Sequence, residues 1–166
     1  MLWGKNMREL SYNRVAAVSY ARKWALDRNP AFYNFANVGG DCTNFASQCI
    51  FAGAGVMNYT PTMGWYYRSS YDRTPSWSGV EYLYNFLIHN KSVGPYAHVV
   101  RQDEVMPGDI VQFGTPGGHF YHSPVITATS PDILVAAHDN DVLDRPLSSY
   151  NYDAIRFLHI DGVRGW

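Results

Sequence analysis

The chain changes character at Gly94-Pro95. Before that point apolar residues recur at helical spacing; after it, short alternating runs are separated by turn signals. Residues from about 12 to 26 read as a helix that Ser11 can cap and Asn29-Pro30 stops, with Val18, Ala21 and Ala25 on one face. A second helix runs from Cys42 to about Ala52 and ends at Gly53-Ala54-Gly55. A third starts at Ser78, where Ser78 and Glu81 form a capping-box pattern and Val80, Leu83, Tyr84, Leu87 and Ile88 keep the 3.6 period. Strand candidates are 97–100, 110–113, 123–129, 133–138 and 155–160, divided by Pro107-Gly108-Asp109, Pro116-Gly117-Gly118, Ser130-Pro131-Asp132 and Arg145-Pro146. Helices first and strands after predict an α+β fold, N-terminal helices packed on a C-terminal antiparallel sheet.

A length of 166 residues suits a single domain, 1–166, with a full hydrophobic core. The net charge of −1 and the lack of any basic run argue against a nucleic-acid partner. No stretch of eighteen apolar residues is present, so no membrane span is expected. Residues 1–6 carry no apolar signal-peptide core, which fits either a cytoplasmic protein or a mature or excised domain. Aromatics match charged residues at 16% each, a balance that suggests a stiff domain of extracellular or cell-envelope type.

The densest chemistry lies in Gly39-Gly40-Asp41-Cys42-Thr43-Asn44-Phe45-Ala46-Ser47-Gln48. Two glycines break the chain, and Cys42 then opens a helix, where backbone N–H groups and the helix dipole favour a thiolate. Asp41 suits the N-cap, accepting the Asn44 N–H, yet its charge opposes that thiolate. Cys42 therefore needs a histidine partner. Cys49 sits mid-helix among Phe45, Ala46, Ile50 and Ala52 and reads as core. Seven helical residues span about 10 Å, too far for a disulfide between the two. No CxxC spacing suggests a metal, and no cofactor is called for.

Six histidines are available. His89 and His98 read as surface residues, and His159 as a satisfied strand residue. His119 hangs in a glycine-rich loop. His122 opens a strand and can project into a cleft. His138 closes the next strand, so a hairpin makes it a neighbour of His122. That is the geometry of base and orienter, although Asp139, Asn140 and Asp141 follow at once and can serve instead. A pair of structural histidines fits the same spacing, as does a zinc hydrolase built on His119, His122 and His138.

The order Cys, His, then polar residue on the following strand resembles the papain-like NlpC/P60 and CHAP superfamily of small cell-wall amidases and peptidases. Met106-Pro107-Gly108-Asp109-Ile110-Val111 resembles its Pro-Gly-Asp-Leu strand, and His122-Ser123-Pro124-Val125-Ile126 its base-carrying strand. The Gly39–Gln48 motif, Ser76-Trp77-Ser78-Gly79-Val80 and Asn140–Ser148 are similar to the putative amidase domain family, over about residues 12–161. The resemblance implies a papain-like half-sheet and cleavage of an amide bond in peptidoglycan or another peptide substrate. It implies Cys42 as nucleophile, His122 as base and His138 as orienter, with Tyr33 a donor to the oxyanion beside the Cys42 N–H. The irregular aromatic loop 56–77, with Trp65, Tyr66, Tyr67 and Trp77, would line the substrate cleft of a monomeric enzyme, or equally supply core and surface aromatics of a stiff loop. An acyltransferase or deamidase would use the same residues, and a wall-binding module would need only the aromatics.

Overall fold

The computed structural model describes residues 6–166. In chain order it comprises β1 (Arg8–Leu10), α1 (Arg14–Trp24), α2 (Cys42–Ala54), β2 (Tyr67–Ser69), β3 (Asp72–Arg73), α3 (Pro75–Ser78) and α4 (Val80–His89). There follow β4 (Gly94–Val100), β5 (Ile110–Gly114), β6 (Phe120–His122), β7 (Val125–Ala128), β8 (Leu134–Ala137), β9 (Val142–Pro146) and β10 (Ala154–Gly165). The fold is α+β, as the shift in periodicity predicts. Eight strands form one antiparallel sheet in the order β1-β10-β5-β7-β8-β9, with β4 also paired to β10 and β6 to β5. β10 pairs with β4 along one edge, from Phe157 to Arg164, and along the other with β5, from Ala154 to Leu158, and then β1, and the sheet curls.

Neighbouring residues on each central strand face opposite ways, and both faces are buried. Ile110, Val125, Ala136 and Leu158 join Phe45, Ile50, Trp65, Trp77, Leu83 and Leu87 in the core between sheet and helices. Val111, Ile126, Val135 and Phe157 form a smaller core on the other face with Phe113 and Leu147. The turn before β5 is tied to both layers by Asp109, which is fully buried and accepts from Arg14 Nη1 at 2.7 Å, His159 Nδ1 at 2.8 Å and Ile160 N at 3.0 Å.

Three local expectations are corrected. Asn13, not Ser11, caps α1, its Oδ1 accepting the Ala16 N–H at 3.0 Å. Ser78 closes the short helix α3, and Gly79 stands at the N-cap of α4. Glu81 is drawn away from any capping box by Arg156 at 3.0 Å. The stretch 56–77 carries the small β2–β3 hairpin and the start of α3.

Candidate active site

Gly39 and Gly40 turn the chain into α2 with φ of 84° and 103°, values that suit residues without a Cβ. Asp41 stands at the N-cap, yet its carboxylate makes no bond to the helix backbone. It is buried, and it accepts instead from the Phe35 N–H at 2.8 Å, the Asn44 side chain at 2.9 Å and His138 Nδ1 at 2.6 Å. Burial works against its charge, but those hydrogen bonds prevail and hold its carboxyl below the usual range. The expected bond to the Asn44 backbone is thus replaced by one to its side chain. Asp41 ties the approach loop to the helix start.

Cys42 is the first residue of α2 and partly exposed. Its Sγ lies 3.7 Å from Thr43 Oγ1 and 4.0 Å from the Tyr121 carbonyl. Behind it, Thr43 Oγ1 donates to Ser123 Oγ at 3.4 Å, and Gln112 Nε2 donates to the same oxygen at 3.0 Å. Burial pushes the thiol pKa up; the Thr43 hydroxyl and the Ser123 backbone pull the other way, and the charge of Asp139 adds to the rise. The Cys42 N–H makes no hydrogen bond among the described residues, as expected in the first turn of a helix.

His122 shares a cleft of about 350 Å³ with Cys42, Gly40, Phe113, Tyr121, Asp139, Arg145 and Tyr150. It closes β6 opposite Phe113 rather than opening the next strand. Pro124 separates β6 from β7 because proline has no N–H for the ladder. The ring packs against Phe113 and Tyr150, with centroids 5.9 and 6.3 Å away. Burial pushes its pKa down to about 4; Asp139 opposes that shift and Arg145 adds to it. The resting pair is therefore a thiol beside a neutral imidazole. His119 lies exposed in the loop before β6.

His138 does not reach His122. Its Nδ1 lies on Asp41, while Nε2 lies 2.9 Å from the Trp24 carbonyl and 3.1 Å from Arg28 Nη1. The ring is buried and stacks on Phe45 at 4.1 Å. β8 ends at Ala137, and the turn that follows seats His138 among Trp24, Asp41 and Phe45 instead of beside the base. Asp139, the next residue, faces the cleft instead. Both its oxygens accept the Asp41 N–H, at 3.1 and 3.0 Å, and its charge acts on Cys42 and His122 alike. Asp141 is committed to Arg28 at 2.8 and 3.0 Å.

The aromatic expectations are also corrected. Trp65 and Trp77 are both 0% exposed and line no cleft. Their indole N–H groups donate to Ser47 Oγ at 3.1 Å and Asn44 Oδ1 at 2.9 Å, bracing α2 from behind. Tyr33 is outside the cleft, its ring against Phe35 at 4.8 Å. Tyr67 accepts the Tyr33 N–H. Phe113, Tyr121 and Tyr150, which line the cleft in their place, come from strand ends and a turn that spacing alone does not bring together.

The model of the putative amidase domain family matches residues 11–160, nearly the whole chain. The chain belongs to that family. Membership points to amide hydrolysis, and so to a hydrolase. A curated relative from Bacillus subtilis (strain 168), Uncharacterized protein YhbB, is 35% identical over 125 residues, 73% of this chain. The match covers 39% of that relative's length. No solved structure matches the chain significantly. The amidase domain thus places the Cys42 thiol, at the start of α2, and the His122 imidazole, at the end of β6, in a single cleft.

Proposed function

We propose that this protein is a cysteine-dependent amide hydrolase in which Cys42 is the nucleophile, His122 the general base and acid, and Asp139 the anion that favours the protonated base. The observation that carries the reading is the shared cleft. Cys42 Sγ stands at a helix N-terminus there, beside a histidine kept neutral by burial. His122 takes the thiol proton as Sγ attacks the carbonyl carbon. The oxyanion accepts the free Cys42 N–H. As the C–N bond breaks, His122 returns the proton to the leaving amine. Water, deprotonated by His122, then hydrolyses the thioester. Sγ and the His122 ring share the cleft without a hydrogen bond between them, and such bonds tighten in the complex with substrate. The order of Cys, His and acidic residue supports a papain-like placement, and with it a cell-envelope substrate, the amide bonds of peptidoglycan peptides.

Digestion of purified peptidoglycan by the protein, followed by mass spectrometry of new amine and carboxyl ends, tests the reading. The expected result is cleavage that Cys42→Ala abolishes and Cys49→Ala leaves intact. Cleavage that survives in Cys42→Ala overturns it.

A further inference from the structure

Arg145 is the cation of the cleft, and it pairs with no carboxylate among the described residues. Its neighbour on β9, Asp144, is committed to Arg22 and to Thr127 Oγ1. Arg145 is nonetheless held firmly. Its guanidinium lies 3.7 Å over the Tyr150 ring, Nε donates to Ser149 Oγ at 2.8 Å, and one amino group donates to the Ser149 carbonyl at 3.0 Å. The other amino group, Nη1, makes no hydrogen bond among the described residues. A stacked, oriented guanidinium with a spare donor is what recognition of an anionic oxygen calls for.

We propose that Arg145 is a specificity-determining residue that binds a carboxylate of the substrate, close to the amide bond under attack. This deepens the reading of Cys42 as nucleophile and rests on it. The cleft has separate poles. Asp139 is its anion, its oxygens turned to the Asp41 N–H, and no ion pair joins it to Arg145. A substrate lying across Cys42 meets a negative wall at the α2 end and a positive one at β9. Its carboxylate settles on Arg145 and avoids Asp139. The charge of Arg145 already opposes protonation of His122, so the guanidinium and the reacting groups share one electrostatic environment. The substrate class is therefore a peptide amide flanked by a free carboxylate, from an acidic side chain or a chain end.

Alkylation needs no knowledge of the substrate and tests this directly. Iodoacetate and iodoacetamide are similar in size and differ in charge. Their rates at Cys42 are measured on the intact protein, with peptide mass spectrometry separating Cys42 from Cys49. Arg145→Gln is expected to lower the iodoacetate-to-iodoacetamide rate ratio about tenfold, the scale of one lost charge pair at short range in a partly buried site. Arg145→Met keeps an unbranched stem on Tyr150 and gives a second neutral variant with the same expected drop. Arg145→Lys keeps the charge without the fork and should fall between. An unchanged ratio in either folded neutral variant overturns the carboxylate site and leaves the nucleophile assignment standing. A Cys42 inert to both reagents overturns the nucleophile assignment, and the carboxylate site with it.

Discussion

At the scale of single residues, the site works by desolvation held in check by a few directed contacts. His122 is stripped of water by Phe113 and Tyr150, and its pKa falls to about 4. A base must be unprotonated to accept the thiol proton, so the competent form exists above that value and is lost below it. We expect kcat/KM for amide hydrolysis to stay flat from pH 8 down to about 5. It should then fall through a single acidic limb near 4, where a histidine at its ordinary value would place the limb near 6.5. A limb at that higher value would contradict this account of the burial. His122→Ala should cost about 10²–10⁴ in rate, the usual share of a general base, whereas His119→Ala should change it little. Asp139 and Arg145 pull on His122 in opposite directions. Their separate removal should therefore move the acidic limb down and up respectively.

At the scale of elements, the start of α2 is assembled from distant pieces. Asp41 is held by Phe35 in the approach loop and by His138 after β8, while Asp139 is held by the N–H of Asp41. His138→Ala would take from the buried Asp41 carboxylate its shortest hydrogen bond while Arg28, Phe35 and Asn44 remain, a loss expected to lower stability by about 1–3 kcal/mol. Denaturant titration would measure this. If His138 is structural, the folded fraction should keep its turnover to within about tenfold, unlike His122→Ala. The two glycines differ in a way a pair of alanine variants can show. A Cβ at Gly39 meets nothing within 4 Å, so Gly39→Ala carries only backbone strain, about 1–2 kcal/mol. A Cβ at Gly40 would lie 3.0 Å from Asp139 Oδ2. Gly40→Ala should therefore displace that carboxylate and lower kcat as well as stability. Equal activity in the two variants would separate Asp139 from the chemistry.

At the scale of the whole molecule, α2 is nearly surrounded, and its cysteines report the two extremes of exposure. Cys49 is 0% exposed, and burial raises its pKa well above the ordinary thiol value. Labelling by a thiol reagent should modify Cys42 in the native protein, while Cys49 waits for unfolding. We expect Cys49 to react at least about 10³-fold more slowly in native buffer, in line with typical unfolding equilibria, and to match Cys42 once denaturant has opened the chain. Comparable native rates would show that α2 is not the fixed centre described here. The α+β class, the helix that Cys42 opens and the buried place of Cys49 were legible in the sequence, whereas His122 closes β6 and does not open the strand that local signals gave it. The first three rest on local signals: periodicity, glycine breaks and turn residues. The inward turn of Trp65 and Trp77, the seating of His138 under Asp41, and the meeting of Asp139, Arg145 and Tyr150 around the thiol depend on sheet curl and on the path of the chain after β8. Side chains one residue apart, such as His138 and Asp139, have the same sequence neighbourhood, yet His138 is buried on the Asp41 carboxylate while Asp139 takes the Asp41 N–H at the cleft. Only packing decides which one reaches the cleft, because the Asp41 carboxylate and the Asp41 N–H, met by His138 and Asp139 respectively, belong to a loop some hundred residues away along the chain.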